Sequence, residues 1–364
     1  MALSEADARH LERCFELAER GRRTAAPNPV VGAVVVRDGR VLGEGWHERP
    51  GGPHAEVRAL AAAGDARGAT AYVSLEPCAH FGRTPPCADA LVDAGVARVV
   101  AAMGDPTPEV NGRGFARLRD TGVQVDVADG ELELRALRMV AEWLTFALDA
   151  RPHVTYKAAV SADGRTSRGD GRQVWISSPE SRRLVHELRA QAGAVAVGIG
   201  TVLADDPLLT ARNCSPPTER QPLRVVFDRH GRLPADSQLA RTASAEAPVL
   251  AVQAPGAPPP PAGVEGVQVY GLAPALALLG RRRVSSLLLE GGPTLATGFL
   301  DAGLLDRMMV FTSPDELGEG PGLFTRDVEP PSPWKLARVG VDMLAVTEIG
   351  GLAERVYRHR RRDG

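Results

Sequence analysis

Glu76-Pro77-Cys78-Ala79-His80-Phe81-Gly82-Arg83-Thr84-Pro85-Pro86-Cys87 leaves a predicted strand at residues 70–75 and enters a predicted helix that follows Pro86. Upstream stands His54-Ala55-Glu56-Val57, at the start of a predicted helix over residues 54–63 that Gly64 stops. Zinc favours imidazole and thiolate donors, and a catalytic site keeps its fourth position open for water. His54, Cys78 and Cys87 are the candidate ligands. Glu56 lies two residues from His54 and can face that water without ligating the metal. A metal-bound water loses much of its pKa and supplies hydroxide near neutral pH. A carboxylate must then carry a proton from the water to a leaving amine, which is the role expected of Glu56. Histidine, any residue, glutamate, followed later by a Pro-Cys pair and a second cysteine, is the arrangement of zinc nucleobase deaminases. The spacing departs from that pattern, because eight residues (79–86) separate the cysteines instead of two. Glycine and prolines stiffen this insertion. It carries His80 and Arg83, donors suited to a phosphate or a polar ring, although Arg83 also reads as a solvated loop charge. A structural zinc site is the alternative. It needs four protein ligands, and His80 is the candidate fourth.

Around this core, strands and helices alternate. Residues 30–36 and 41–44 read as a hairpin around Arg37-Asp38-Gly39-Arg40, residues 96–103 and 123–127 as strands, and residues 131–148 as one long helical stretch. The N-terminal segment reads as an amphipathic helix with Leu11, Cys14, Phe15 and Ala18 on its apolar face, not as a signal peptide. Asp149-Ala150-Arg151-Pro152 marks a boundary, after which the pattern restarts. Strands are expected at residues 153–160, 194–199, 223–227, 249–252, 267–270, 286–289 and 308–311. A helix is expected after Ser177-Ser178-Pro179-Glu180, where serine caps and proline opens the first turn. Residues 255–263 read as a Pro-rich exposed loop, and the basic run 358–362 as a solvated tail.

The second half has no Gly-x-Gly-x-x-Gly after a strand and no P-loop. Leu289-Glu290-Gly291-Gly292-Pro293-Thr294 leaves a strand, turns on glycines and enters a helix. It reads either as a pyrophosphate site at a helix N-terminus or as an ordinary strand–helix turn. Lys157 and Lys335 are the only lysines in a chain otherwise rich in arginine.

The run 76–87, with Pro27-Asn28-Pro29-Val30-Val31-Gly32 and His54-Ala55-Glu56-Val57, resembles the signature of the bifunctional riboflavin-biosynthesis deaminase/reductase family. Lys157-Ala-Ala-Val-Ser-Ala-Asp-Gly-Arg165, Trp175-Ile-Ser-Ser-Pro, Leu188-Arg-Ala-Gln191, Thr201-Val-Leu-Ala-Asp-Asp-Pro207, Leu209-Thr-Ala-Arg212 and Glu290-Gly-Gly-Pro-Thr-Leu resemble its reductase half. The resemblance covers nearly the whole chain. It implies an α/β protein with two domains. Residues 1–150 would form a zinc-dependent pyrimidine deaminase domain, a cytidine-deaminase-like three-layer α/β/α unit. Residues 151–364 would form an NADPH-dependent reductase domain similar to dihydrofolate reductase. The implied reactions are deamination of 2,5-diamino-6-ribosylamino-4(3H)-pyrimidinone 5′-phosphate and reduction of its ribosyl group to ribityl, with Zn2+ and NADPH as cofactors. Carried over by position, Asn28, His47, His80 and Arg83 would hold the deaminase substrate; Asn28 also reads as a turn residue. Ala159, Trp175, Thr201, Asp205 and Gly292 would contact NADPH. Lys157, Gln173, Arg189, Leu209, Arg212 and Glu290 would face the sugar phosphate. Arg229 follows Asp228 where small polar residues are common in the family. It is expected either to meet the 2′-phosphate of NADPH or to solvate a strand end. Segment 312–320 fits the family loosely.

The chain has 364 residues, a formal net charge of −2, 44% hydrophobic, 24% charged and 4% aromatic residues. That balance gives no electrostatic footprint for nucleic acid or membrane. No apolar run reaches a membrane span of ~18 residues. Four cysteines, two beside other candidate ligands, favour metal binding over disulfides in a reducing compartment. The protein is therefore expected in the cytoplasm, as a homo-oligomer whose partner is a small-molecule pyrimidine ribosyl phosphate. The rival readings are a zinc nucleoside or tRNA deaminase with an unrelated C-terminal domain, and a non-catalytic zinc and nucleotide-binding regulator. An RNA substrate calls for a basic, aromatic-bearing surface.

Overall fold

The computed structural model describes residues 3–81, 85–168, 174–218 and 220–356. The chain divides into two compact units, Met1–Asp149 with Leu352–Gly364, and Ala150–Gly351.

In the first unit the described residues form a five-stranded sheet in the order β2-β1-β3-β4-β5. The strands are β1 (Gly32–Arg37), β2 (Arg40–Trp46), β3 (Thr70–Val73), β4 (Arg98–Ala101) and β5 (Gln124–Val127). β1 and β2 form the expected hairpin, turning on Asp38 (φ 54°) and Gly39 (φ 74°). Two successive positive φ values give a tight hairpin turn, which is why Asp-Gly sits there. β3, β4 and β5 run parallel. Along β1 the faces alternate. Val34 and Val36 pack with α1 (Glu5–Glu19), α5 (Gly130–Met139) and α6 (Ala141–Asp149). Ala33 and Val35 pack with α2 (Ala55–Ala63), α3 (Cys87–Asp93) and α4 (Arg113–Asp120). Both sheet faces are covered, giving three α/β/α layers, and the inner strands β1, β3 and β4 are nearly continuous apolar runs. Leu11, Cys14, Phe15 and Ala18 of α1 are all fully buried.

The second unit carries β6 (His153–Val160), α7 (Pro179–Gln191), β7 (Ala194–Gly198), α8 (Ile199–Asp205), β8 (Leu223–Phe227), α9 (Gln238–Arg241), β9 (Val249–Gln253), β10 (Glu265–Gln268), α10 (Leu272–Arg281), β11 (Ser286–Leu289), α11 (Pro293–Asp301), β12 (Arg307–Thr312), β13 (Lys335–Val339) and β14 (Asp342–Glu348). Its described strands form one nine-stranded sheet, order β10-β9-β8-β7-β11-β6-β12-β14-β13. The run from β10 to β12 is parallel, and β14 and β13 add an antiparallel edge. This is the dihydrofolate-reductase-like arrangement. Ser178 caps α7 through its hydroxyl, which accepts from the Ser181 N–H at 3.2 Å.

The structure corrects two expectations and adds one hairpin. The long helical stretch is two helices, α5 and α6, broken at Val140 (φ −100°, ψ 14°). The β13–β14 hairpin was not anticipated, because Lys335–Val339 alternates apolar and polar residues only weakly and pairs through β14 alone. Leu352 and Val356, placed with the second domain from the sequence, are buried in the core of the first unit.

The placement of α2 depends on two glycines. A Cβ at Gly45 would lie 2.5 Å from the Ala55 carbonyl oxygen and 2.6 Å from the Ala59 nitrogen, and Gly43 is as tightly enclosed. The absence of side chains there lets α2 lie directly on β2. Gly45→Ala is expected to cost about 1–3 kcal/mol of stability, the usual magnitude of overpacking, and to slow deamination, because α2 shifts with His54 and Glu56. Urea unfolding and the deaminase rate check both effects.

Candidate active site

Each residue of the His54, Cys78 and Cys87 cluster stands at an element end. His54 is the N-cap residue of α2, but its ring makes no cap bond to that helix. Cys78 follows β3, and Cys87 is the first residue of α3. Their donor atoms all lie within 4.8 Å of one another. His54 Nδ1 is 3.2 Å from Cys87 Sγ and 3.7 Å from Cys78 Sγ. One nitrogen and two sulfurs at these separations fit the tetrahedral donor set of zinc, at about 2.0–2.3 Å from each atom, with one position left for water. Among the described residues the cluster has no fourth member, and His80 stays exposed beside it. The catalytic reading is therefore favoured over a closed structural site.

The Cys87 thiol and the Cys87 backbone N–H (3.4 Å) both donate to Cys78 and bring its pKa down to about 4. Hydrogen bonding to that thiolate, with burial, pushes Cys87 up. The bond that the His54 ring donates to the Cys78 sulfur raises His54. Glu56, in the first turn of α2, is 5% exposed and within hydrogen-bonding reach of Cys87. Burial raises its carboxyl above the ordinary value.

Asn28 and His47 flank this cluster. Asn28 Nδ2 lies 3.1 Å from His47 Nε2, and His47 Nδ1 lies 3.3 Å from the Pro53 carbonyl. With Nδ1 protonated toward Pro53, Nε2 accepts from the Asn28 amide. Burial lowers the His47 pKa. Its ring meets that of His54 edge-on, with centroids 5.3 Å apart. Arg83 lies outside the described residues.

Sequence reading missed Glu76 as a support of the metal loop. Its buried carboxylate accepts four backbone N–H bonds, from Asp105 (3.1 Å), Gly112 (3.2 Å), Gly114 (3.0 Å) and Phe115 (3.2 Å). Three of these belong to the start of α4, where unsatisfied donors and the helix dipole favour an anion. Burial raises the Glu76 carboxyl, while the four bonds act the other way. The geometry favours the ionised form, since a neutral acid would leave donors unmatched. A Cβ at Gly114 would fall 1.8 Å from the Pro77 carbonyl oxygen, so α4 touches the segment carrying Cys78. A glutamate next to Pro-Cys was the available signal.

In the second unit a cleft of about 1270 Å³ opens at the carboxyl ends of the parallel strands. In sheets of this kind ligands bind there. Ala159, Trp175, Thr201, Asp205, Arg229 and Gly292 all line it. So do Lys157 and Glu290. Glycines at 198, 200 and 292 keep backbone open toward the space, and Gly292 caps α11 with no side-chain bond. The N–H groups of that turn thus suit a pyrophosphate.

Arg189 does not line the cleft. Its Nε and Nη2 bind both oxygens of Glu290 at 2.6 and 2.9 Å, and Nη1 reaches the Thr210 carbonyl at 3.2 Å. In this structure the Arg189 fork is paired with Glu290, which itself lines the cleft. Burial alone would raise Glu290. The Arg189 charge and its two bonds, with Lys157, hold it below the ordinary value. Burial lowers the Lys157 pKa, Glu290 opposes that shift and Arg189 adds to it. Leu209 is buried and Arg212 is exposed on the same loop, and neither is among the residues that line the cleft. Gln173 lies outside the described residues. Arg232 and Tyr270 also line the cleft and were not singled out from sequence.

In class, the chain joins a zinc-dependent nucleobase deaminase to a nucleotide-dependent reductase of the dihydrofolate-reductase kind. Residues 4–103 match the cytidine and deoxycytidylate deaminase zinc-binding region, and residues 152–342 match the RibD C-terminal domain. The riboflavin biosynthesis protein RibD of Escherichia coli (strain K12) is 43% identical over 336 residues, covering 86% of this chain and 89% of that protein. The structure of Acinetobacter baumannii RibD, form 1, superposes with a TM-score of 0.82 at 36% identity, over 95% of this chain and 99% of the other. A diaminohydroxyphosphoribosylaminopyrimidine deaminase/5-amino-6-(5-phosphoribosylamino)uracil reductase from Thermotoga maritima gives a TM-score of 0.81 at 35% identity, over 94% and 98%. The chain belongs to the RibD family of bifunctional riboflavin-biosynthesis enzymes, a deaminase and a reductase on one polypeptide. Among the described residues no helix is long and apolar enough to cross a membrane.

Glu76→Ala strands four backbone donors, each costing about 1–3 kcal/mol if buried and unmatched. Zinc affinity, titrated against a competing chelator, is expected to fall about 10–100-fold, as for loss of other supports behind metal ligands. Unchanged affinity would remove Glu76 from that role.

Proposed function

We propose that the first unit carries out deamination with Glu56 as its proton carrier, and that the second reduces the ribosyl group with Lys157 as its proton donor. The observation that supports the first part is the convergence of three zinc donors with one buried, non-ligating carboxylate. His54, Cys78 and Cys87 would hold the zinc, which supplies Lewis acidity that makes water acidic near neutral pH. Glu56 takes a proton from the attacking water and hands it to the exocyclic amine. The C–N bond breaks, ammonia leaves and a ring carbonyl remains. Burial of Glu56 keeps competing water off that carboxylate. Asn28 and His47 orient the pyrimidine ring, and His80 and Arg83, from the segment between the two cysteines, would meet its ribosyl phosphate.

In the second unit Gly292, Thr201, Ala159, Trp175 and Asp205 would hold NADPH along the cleft. Arg229 would meet its 2′-phosphate with the fork geometry that guanidinium offers. NADPH supplies the hydride for the ribose C1′. As the C1′–O4′ bond opens, O4′ must gain a proton. Lys157 faces the cleft beside Glu290, and its lowered pKa makes the ammonium a readier acid. Gln173, Leu209, Arg212 and Glu290 hold the sugar phosphate, with Arg189 fixing Glu290.

The protein is proposed to act in the cytoplasm on a small molecule and not on nucleic acid. Four free cysteines, a net charge of −2 and the low aromatic content support this. Homo-oligomerisation is supported by the exposed Leu336, Val341 and Met343 on the β13–β14 edge.

Glu56→Gln is expected to retain zinc and lose deaminase rate by about 10²–10⁴, the usual share of general acid–base catalysis. Zinc content and rate are measured together, and near-normal turnover in the loaded variant overturns the role. For the reductase, the rate should fall as pH rises through a pKa below the ordinary lysine value of 10.5, because the lowered Lys157 loses its proton earlier. Lys157→Met should abolish that limb together with reduction and spare deamination. An alkaline limb that persists in the variant would assign the proton to another group.

A further inference from the structure

The backbone over residues 208–212 is unusual. Leu209 adopts φ 55°, a left-handed conformation that a non-glycine residue rarely takes, while its side chain is 2% exposed in a core with Val202 and Val226. Such strain persists only where the surroundings over-determine it, and it clusters at binding sites. Here the surroundings are side chains. Arg224, fully buried on β8, donates from Nη1 to the Leu208 carbonyl at 3.2 Å. It sends its remaining bonds to Thr242 Oγ1 (2.7 Å) and to the Thr242 (2.9 Å) and Ala247 carbonyls. These partners are all neutral oxygens, a costly environment for a cation. Gln221 holds both the N–H (2.8 Å) and the carbonyl (3.0 Å) of Ala211. Arg189 holds the Thr210 carbonyl at 3.2 Å. The Arg212 N–H donates to His186 Nδ1 at 3.1 Å, and Arg212 Nη1 donates to Thr210 Oγ1 at 3.2 Å.

His186 and Arg189 are three residues apart on α7, hence on one helix face. One fixes Arg212 and the other fixes Glu290. We propose that this turn of α7 is a ruler for the reductase substrate: Arg189 sets the reacting end through Glu290, and His186, a positioning residue, sets the phosphate end through Arg212. The ligand class it fits is a ribosyl 5′-phosphate, in which a fixed sugar separates the anion from the reacting carbon. This inference rests on the reading above that Arg212 faces the phosphate. His186 Nδ1 lies 3.1 Å from the Arg212 nitrogen and 3.2 Å from the Thr210 carbonyl oxygen; with the ring proton on Nε2, Nδ1 accepts the Arg212 N–H, and the Thr210 carbonyl keeps its bond from Arg189. The loop is thereby preformed, and binding the phosphate does not have to order it.

The test uses the full-length, zinc-loaded protein carrying His186→Ala, His186→Gln or Arg212→Ala. Reductase KM and kcat are measured with the deaminated ribosyl phosphate and NADPH, and ribose 5-phosphate serves as a competing probe. His186→Ala should raise KM for the ribosyl phosphate and the inhibition constant of ribose 5-phosphate about tenfold each, the worth of one well-placed hydrogen bond. Reductase kcat, KM for NADPH and deamination should stay within about twofold. His186→Gln, whose amide oxygen can accept the same N–H, should recover most of the loss. A merely structural role would give neither the KM-against-kcat split nor the rescue. A fall in kcat with unchanged KM, or equal effects of alanine and glutamine, overturns the ruler. If Arg212→Ala weakens ribose 5-phosphate and His186→Ala does not, the positioning inference fails alone. If Arg212→Ala has no effect on the probe, the reading beneath it fails as well.

Discussion

Both sheets are covered by helices on their two faces, and this constraint decides where chemistry can occur. A strand buried on both faces has no place for an unpaired polar side chain along its length. Polar groups therefore collect at strand ends and helix starts, where backbone N–H groups are also unspent. Cys78 follows β3, Cys87 opens α3 and His54 precedes α2. In the second unit Glu290 follows β11, Arg229 follows β8 and Gly292 opens α11. Lys157 and Arg224 lie within strands: Lys157 lines the cleft, and Arg224 is bound by neutral oxygens.

The two units handle buried charge differently. In the first, Glu56 has no cation bound to it, so burial pushes its proton affinity up, as a group that must repeatedly take and give a proton requires. In the second, Glu290 is bound at both oxygens by Arg189 and stays low. A carboxylate locked in that way is a poor proton carrier and a good fixed charge. It keeps an ammonium at Lys157 more stable than burial alone would allow. The contrast matches the proposed roles of Glu56 as a proton shuttle and Glu290 as an orienting anion.

The metal cluster was legible because its chemistry is local in type: imidazole and thiolate are rare donors, and their positions after a strand or at a helix start can be read from a few neighbours. Hairpin β1–β2 and the Ser178 cap were legible for the same reason, since Asp38-Gly39 and Ser178-Pro179 act within a turn. What escaped the sequence depends on distant pairing. The Arg189–Glu290 pair spans residues far apart on α7 and after β11, so Arg189 read as a free fork. Glu76 meets donors from residues 105–115. Leu352 and Val356 enter the core of the first unit from the far end of the chain. Val140 breaks a helix whose apolar periodicity continues through the break.

Arginine dominates the basic residues of this chain, and that composition has consequences for how its anions are held. Guanidinium cannot give up a proton in a protein, so it can hold charge but cannot carry protons. The cleft accordingly uses arginine at positions of static charge: Arg229 and Arg232 at its wall, and Arg189 behind Glu290. Lysine occurs twice in the sequence, and one of the two stands where a cation with an adjustable pKa faces the cleft. A guanidinium at position 157 would preserve the charge opposite Glu290 and remove the acid. Under the proposed mechanism, the residue type at that single position separates binding the sugar from opening its ring.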